Sequence, residues 1–162
     1  MSIGVGIITC NRPDFFEKCH KSIKREWYDY LVVVNDGEDI DYKKDDQFHH
    51  YIKTNGGEGV GKAKNKALRH LLGHKCDYII LVEDDMLFKG DIFKEYINAY
   101  KKTGIEHFMF AYHGPANKGM ISGGSPVPRK VVDYNNIKIS LNTHCVGAVC
   151  FYTRKCLEEI GI

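Results

Sequence analysis

The chain has 162 residues, 43% of them hydrophobic, and a net charge of +2, which fits one globular domain with its own core. So small a charge gives no reason to expect nucleic-acid binding, and no apolar run approaches the roughly 20 residues of a membrane helix. The first residues lack the basic and apolar segments of a signal peptide, so we expect a cytoplasmic protein with its six cysteines reduced.

Predicted strands and helices alternate through most of the chain. The apolar runs that predict strands are 3–9, 30–34, 49–54, 78–82 and 107–112. The amphipathic patterns that predict helices are 13–26, 59–72 and 91–102. A Gly- and Pro-rich stretch at 114–128, interpreted as a functional loop, precedes two more predicted strands at 131–140 and 145–152 and a helix at 154–160. This alternation is typical of a mostly parallel, Rossmann-like α/β sheet.

Three consecutive acids, Glu83, Asp84 and Asp85, follow the apolar strand at 78–82. Two unit charges about 4–5 Å apart repel by roughly 3–4 kcal/mol at an effective dielectric near 20. A divalent cation, nearby Lys or Arg side chains, or raised pKa values must therefore offset the cluster. Ligands of open α/β sheets bind at the carboxyl ends of the strands, so we favour Mg²⁺ or Mn²⁺. The alternative, an acidic N-cap for a helix starting near Gly90, explains one acid and not three.

A second motif points to another class of protein. Residues 56–62 fit the G-x-x-x-x-G-K pattern of a P-loop. The next residue is Ala63, where a P-loop carries Ser or Thr to bind Mg²⁺, and the motif follows the third predicted strand rather than the first. A Gly-rich helix start can also bind phosphate without being an NTPase. A P-loop NTPase therefore stays open as an alternative.

Four segments, in order, resemble motifs of the family-2 glycosyltransferases, which have the GT-A fold. They are I-I-T-C-N-R-P at 7–13, V-V-V-N-D-G at 32–37, N-G-G at 55–57 with A-K-N at 63–65, and E-D-D at 83–85 with G-D at 90–91. In the family, the third of these begins a helix, and E-D-D stands in the place of the DXD motif. Any one of them is weak evidence, whereas four in the correct order are specific.

The resemblance implies one GT-A-like domain over 1–162. Its expected architecture is a Rossmann-like, mostly parallel central sheet flanked by helices, with a small antiparallel part near the C-terminus. Residues 1 to about 112 would form the nucleotide-binding half, and residues from about 113 to 162 an incomplete acceptor-side half.

The resemblance also implies roles for individual residues. The nucleotide would contact Thr9, Asn11, Arg12, Asp36, Lys64 and Asp84. Among these, Asp36 would hydrogen-bond the base and Asp84 the ribose. Asp85 would coordinate Mn²⁺ or Mg²⁺ bridging the donor diphosphate, with Glu83 as a weaker candidate ligand. Lys64 stands where the family typically has Arg, so it keeps the charge but loses the planar bidentate fork.

The implied activity is metal-dependent transfer of a sugar from a nucleotide-diphosphate donor, expected to be a UDP-sugar, to a hydroxyl of a glycan or another acceptor. We expect inversion, which needs a carboxylate base to deprotonate the acceptor. In the family that base lies in an acidic motif after a helix resembling 154–161, where this chain ends at Ile162. We expect the base to lie beyond Ile162, in which case the chain is an amino-terminal portion of a longer enzyme. Otherwise the base comes from elsewhere, and the acids available downstream are Asp133, Glu158 and Glu159. A relative that binds nucleotide without transferring sugar is the remaining alternative.

Overall fold

The computed structural model describes residues 1–40, 48–109, 130–141 and 147–162. The strands in these residues are β1 (Ile3–Thr9), β2 (Tyr30–Asn35), β3 (His50–Lys53), β4 (Tyr78–Glu83), β5 (His107–Met109), β6 (Lys130–Tyr134), β7 (Ile137–Leu141) and β8 (Val149–Thr153). The helices are α1 (Pro13–Ser22), α2 (Val60–Gly73), α3 (Ile92–Thr103) and α4 (Arg154–Ile160), with a 3₁₀ turn at Arg25–Trp27. None of the described helices is long and apolar enough to cross a membrane.

Six of these strands form one sheet in the order β3-β2-β1-β4-β8-β5. The first four strands in this order are parallel to one another, whereas β8 runs antiparallel to both β4 and β5. β6 and β7 form a separate antiparallel hairpin. The predicted architecture, a mostly parallel sheet with a small antiparallel part near the C-terminus, is confirmed.

The helices cover both faces of the sheet. Side chains alternate along β1, so that Val5 and Ile7 pack with residues of α1 and α3, while Ile8 packs with residues of α2 and α4. α2 approaches β1 closely, because β1 has glycine at two positions on that face, Gly4 and Gly6. The apolar runs of the central strands are therefore buried on both sides, as a parallel sheet requires.

Two predicted elements are wrong in their extent. α1 ends at Ser22 rather than at 26, because Ile23 adopts an extended backbone that buries its side chain. The single strand predicted at 131–140 is the β6–β7 hairpin, which turns at Asn135 and Asn136. Both asparagines have positive φ, 49° and 65°, and asparagine tolerates this conformation better than most residues.

Some predictions fall wholly or partly outside the described residues. The functional loop at 114–128 lies entirely outside them, as do the second half of the strand predicted at 107–112 and the start of the one at 145–152. The division into a nucleotide-binding half and an acceptor-side half stays a prediction.

We predict that Gly4→Ala destabilises the protein by about 1–3 kcal/mol, the usual effect of overpacking a close-packed interface. A Cβ atom at Gly4 would lie 2.7 Å from the Cys76 sulfur and 2.9 Å from a methyl carbon of Leu71. The matched control is Gly73→Ala in the last turn of α2, where a Cβ atom meets nothing within 4 Å. It should leave stability unchanged or raise it by about 0.5–1 kcal/mol. Urea unfolding of both variants tests this packing, and equal effects would contradict it.

Candidate functional site

The carboxyl ends of β1, β2 and β4 meet at one edge of the sheet. Thr9 is paired with Asn35 of β2, and Ile8 is paired with Glu83 of β4, so the residues that follow these strands are neighbours. A cavity of about 410 Å³ opens at this edge, within the usual size of a small-ligand site. Its lining residues are Ile8, Thr9, Cys10, Arg12, Asp36, Gly57, Gly59, Val60 and Glu83.

Asp84 is fully buried beside this cavity. Its carboxylate accepts a hydrogen bond of 2.7 Å from the Thr9 hydroxyl and an ion-paired hydrogen bond from the Arg12 guanidinium. Burial raises the pKa of Asp84 above its usual value, while the Thr9 hydroxyl and the Arg12 charge oppose that rise. The guanidinium also lies 3.4 Å from the Asp85 carboxylate, which is 41% exposed. Arg12 therefore compensates two of the three acids.

Glu83, the third acid, pairs with Lys64 of α2. The Lys64 ammonium donates to the Glu83 carboxylate at 2.5 Å and to the carbonyl oxygen of Gly147 at 2.8 Å. This side chain joins α2, the end of β4 and the residues before β8. Two cations thus face three acids, and one negative charge is left over.

The alternative role of the acids as a helix N-cap is wrong. The N-cap of α3 is Asp91, whose side chain accepts a hydrogen bond of 3.0 Å from the Lys94 N–H. A carboxylate at this position satisfies one of the free N–H groups of the first turn. The acids after β4 are therefore not needed to begin α3.

Asp36 is buried where β2 ends, and its carboxylate organises the Gly-rich segment 56–62. It accepts hydrogen bonds from the Thr54 hydroxyl, from the Glu58 N–H at 3.1 Å and from the Gly59 N–H at 2.7 Å. The Thr54 hydroxyl is the main cause that lowers the pKa of Asp36, and the two N–H groups add to it.

These contacts argue against the P-loop alternative. A P-loop donates its backbone N–H groups to phosphate, whereas Glu58 and Gly59 donate theirs to the Asp36 carboxylate. Lys62, the lysine of the motif, is exposed on α2. In this structure the Gly59 N–H is bound to a protein carboxylate, the Gly57 N–H to the Asp36 carbonyl oxygen and the Gly56 N–H to the Thr54 hydroxyl.

Asn11 supports the turn after β2. Its backbone has a φ of 54°, and its side-chain oxygen accepts a hydrogen bond of 2.6 Å from the Glu38 N–H. A Cβ atom at residue 37 would lie 2.2 Å from that oxygen, so Gly37 is required by close approach. Asn11 thereby links the T-x-N-R-P segment to the N-D-G segment.

The structure brings together Thr9, Arg12 and Asp36 at the cavity, with Asp84 behind them. Asn11 and Lys64 are bound to protein groups and do not line the cavity. Sequence reasoning missed other lining residues, of which Cys10, Gly57, Gly59 and Val60 are the main ones. Gly57 and Gly59 have positive φ, a conformation that favours glycine. The glycines themselves are therefore the sequence signal that could have identified these two positions.

The described residues contain no group of three or more His, Cys, Asp or Glu side chains arranged to hold a metal ion. Mg²⁺ commonly uses one or two carboxylates, with substrate phosphates and water as its other ligands. Asp85, exposed beside the cavity, fits that kind of site as a single protein ligand.

Comparison with known proteins identifies the family. The protein-family model described as glycosyl transferase family 2 matches residues 4–161. An uncharacterized glycosyltransferase of Acanthamoeba polyphaga mimivirus is 32% identical over 139 residues, which are 81% of this chain and 50% of that protein. The chain therefore belongs to glycosyl transferase family 2.

Solved structures show the same fold at low identity. S. aureus TarS 1–349 in complex with UDP-GlcNAc is 16% identical with a TM-score of 0.66, covering 99% of this chain and 47% of that one. A mannosyltransferase from Pyrobaculum calidifontis in complex with GDP-Man and Mn²⁺ is 15% identical, also with a TM-score of 0.66, covering 99% and 46%. The fold is GT-A, and the chain spans about half the length of these relatives.

We predict that Asp36→Asn destabilises the protein by about 1–3 kcal/mol even without nucleotide, because its amide group cannot accept all three hydrogen bonds. The folded-state pKa of Asp36 is lowered, so its contribution to stability is present above the unfolded pKa of about 3.9. That contribution is lost as the pH falls through the folded-state pKa. The free energies of unfolding of the wild type and of Asp36→Asn should therefore converge in acid. Urea unfolding over a pH series from 7 down to about 2, below the lowered folded-state pKa, measures this.

The control for this prediction is Asp39→Asn, a change of the same chemistry at an exposed position on the same loop. Surface substitutions of this kind usually change stability by less than about 0.5 kcal/mol. If Asp36→Asn were as stable as Asp39→Asn, the residue would not organise the segment, and a role confined to ligand contact would explain it better.

Proposed function

We propose that this protein is a glycosyltransferase whose donor is a nucleotide-diphosphate sugar, with a UDP-sugar favoured, bound at the carboxyl edge of the sheet. The observation that carries the proposal is the acid cluster after β4, beside a cavity of about 410 Å³, in a member of this family. Support comes from two proteins of the same fold, one in complex with UDP-GlcNAc and the other with GDP-Man. The proposed acceptor is a hydroxyl of a glycan or another molecule.

In this proposal the nucleoside lies against the ends of β1 and β2. Thr9 and Asp36 line the cavity there, and the proposed role of Asp36 is to contact the base. Two further proposed contacts, Asn11 and Lys64, adjoin the cavity lining. Asn11 lies between Cys10 and Arg12 in the chain, and Lys64 pairs with Glu83. Asp84 is proposed to contact the ribose, which requires its carboxylate to become accessible when the ligand binds, because it is buried here.

Arg12 is the proposed contact for the diphosphate. Its side chain is 45% exposed, and a guanidinium can pair with a phosphate through two parallel hydrogen bonds. Its contact with Asp85, at 3.4 Å and exposed, is worth little, since exposed ion pairs contribute about 0–1 kcal/mol. Arg12 can therefore turn from Asp85 to phosphate without a large loss of stability.

Asp85 is the proposed ligand of Mn²⁺ or Mg²⁺, and Glu83 the weaker candidate because Lys64 already pairs with it. The negative charge left over in the acid cluster favours a cation at this place. When bound, the ion would act as a Lewis acid that neutralises charge on the departing diphosphate.

The catalytic base is proposed to lie outside the described residues. Downstream acids within them have other partners: Asp133 accepts from the Asn136 N–H in the hairpin, and Glu158 pairs with Arg154 along α4. Inversion of configuration at the sugar is part of the proposal and depends on that base.

We predict that UDP binds with Mn²⁺ or Mg²⁺ and that Asp85→Asn weakens this metal-dependent binding at least tenfold. The substitution keeps the side-chain shape but removes the charge that would hold the ion. Asp91→Asn is the matched control, because asparagine caps a helix as well as aspartate does. Calorimetric titration of UDP with each ion and with EDTA measures these affinities.

Two outcomes of this titration would contradict the proposal. Binding of ATP with Mg²⁺ that depends on Lys62 rather than on Asp85 would restore the P-loop alternative. Equal affinities for UDP with the ion and with EDTA would show that binding does not depend on a metal ion. Release of UDP from a UDP-sugar then distinguishes a transferase from a relative that only binds nucleotide.

A further inference from the structure

Histidines gather at the end of β2 that is remote from the cavity. Tyr30 is the first residue of β2, whereas Asp36 directly follows its last residue. Around Tyr30 lie His49 and His50 before and at the start of β3, and His70 and His74 at the end of α2. This cluster is separated from the proposed nucleotide site by the full length of a strand.

Two of these imidazoles converge on one oxygen. The Nε2 atoms of His70 and His74 lie 3.1 Å and 3.0 Å from the Tyr30 hydroxyl. His70 lies in the last turn of α2 and His74 is its C-cap residue, four positions further on, so both side chains lie on the same side of the helix end. The His50 ring stacks on that of His70, with centroids 4.2 Å apart and planes at 13°, which restricts the orientation of His70.

The Tyr30 hydroxyl has a single proton and can donate it to only one of the two nitrogens. A cation would bind both nitrogens through their lone pairs. Neutral imidazole suits Zn²⁺, Cu²⁺ and Ni²⁺, and these ions accept oxygen ligands as well. The cluster is open to solvent, since His74 is exposed and His70 is half-buried, so water can complete the coordination.

The other histidines of the cluster are less suited to be ligands of this cation. His49 accepts the Leu31 N–H through its Nδ1 atom at 3.1 Å, and its Nε2 atom faces Arg25 at 3.4 Å. No set of three or more His, Cys, Asp or Glu ligands occurs in the part of the chain that the structure describes. The donor set is therefore two imidazoles with the phenol oxygen and water.

We propose that His70 and His74, with Tyr30 between them, bind one borderline divalent transition-metal ion such as Zn²⁺, Ni²⁺ or Cu²⁺. This site is independent of the proposed Mn²⁺ or Mg²⁺ at Asp85, which has oxygen ligands. The ion fastens the end of α2 to the start of β2. Because a ligand that binds the folded state stabilises it, the melting temperature rises with the concentration of the ion.

The test is calorimetric titration of Zn²⁺ into the whole chain in the presence of millimolar Mg²⁺, which occupies sites that prefer oxygen ligands. The expected result is one Zn²⁺ per chain and a melting temperature that rises with zinc. His70→Ala and His74→Ala should each weaken zinc binding at least tenfold, and Tyr30→Phe several-fold. Far-UV circular dichroism without zinc checks that each variant is folded, and His70→Gln and His74→Gln replace any variant that is not.

Two controls make the test specific. His107→Gln removes an imidazole outside the cluster, and Cys10→Ser removes an exposed thiol that could bind zinc instead. Both should keep the wild-type affinity for zinc. Absence of zinc binding by the wild type, or binding lost in Cys10→Ser and kept in the two histidine variants, would overturn the proposal.

Discussion

The structure of the site depends on how three adjacent carboxylates are accommodated at the end of a buried strand. β4 passes through the core with five buried residues and ends in Glu83, followed by Asp84 and Asp85. Arg12 comes from the turn after β1, and Lys64 from α2, so the compensating charges belong to two different elements. The repulsion among the acids is compensated at this edge because two neighbouring elements each bring a cation to it.

The same arrangement prepares the edge for a ligand that is itself charged. The ion pair with the buried Asp84 fixes the Arg12 guanidinium at the cavity, while the contact of Arg12 with the exposed Asp85 is longer, at 3.4 Å. A diphosphate with a divalent cation would supply both a new partner for Arg12 and a counter-charge for Asp85. On the far side of the cavity, Asp36 holds the Gly-rich segment in place before any ligand arrives. The protein parts of the proposed site are thus largely formed in advance, which lowers the cost of ordering them on binding.

Much of this fold could be predicted from the sequence, because the apolar runs of β1, β2 and β4 and the amphipathic pattern of α2 are strong signals. The motif order predicted that Thr9, Arg12 and Asp36 lie together at one edge of the sheet, and the structure has them there, while their roles stay predictions. The partners of those residues could not be predicted, since Lys64 and Glu83 are 19 residues apart and meet only through the packing of α2 on the sheet. The Asp36 network was missed for the same reason: a G-x-x-x-x-G-K pattern indicates a turn with free N–H groups but does not say which anion fills it.

Local turn chemistry explains the missed hairpin at Asn135 and Asn136, where the strand pattern continues on both sides of the turn.

The most direct test of the central claim is a crystal structure of the protein with UDP and Mn²⁺, with anomalous scattering used to locate the ion. We predict a manganese peak at the Asp85 carboxylate, UDP phosphates next to that ion, and the Arg12 guanidinium turned from Asp85 to the diphosphate. The Asp36 contacts to Glu58 and Gly59 should be unchanged. An ordered UDP bound away from the carboxyl ends of β1 and β4, or a nucleotide in the cavity with no ion and with the Arg12–Asp85 contact intact, would contradict it.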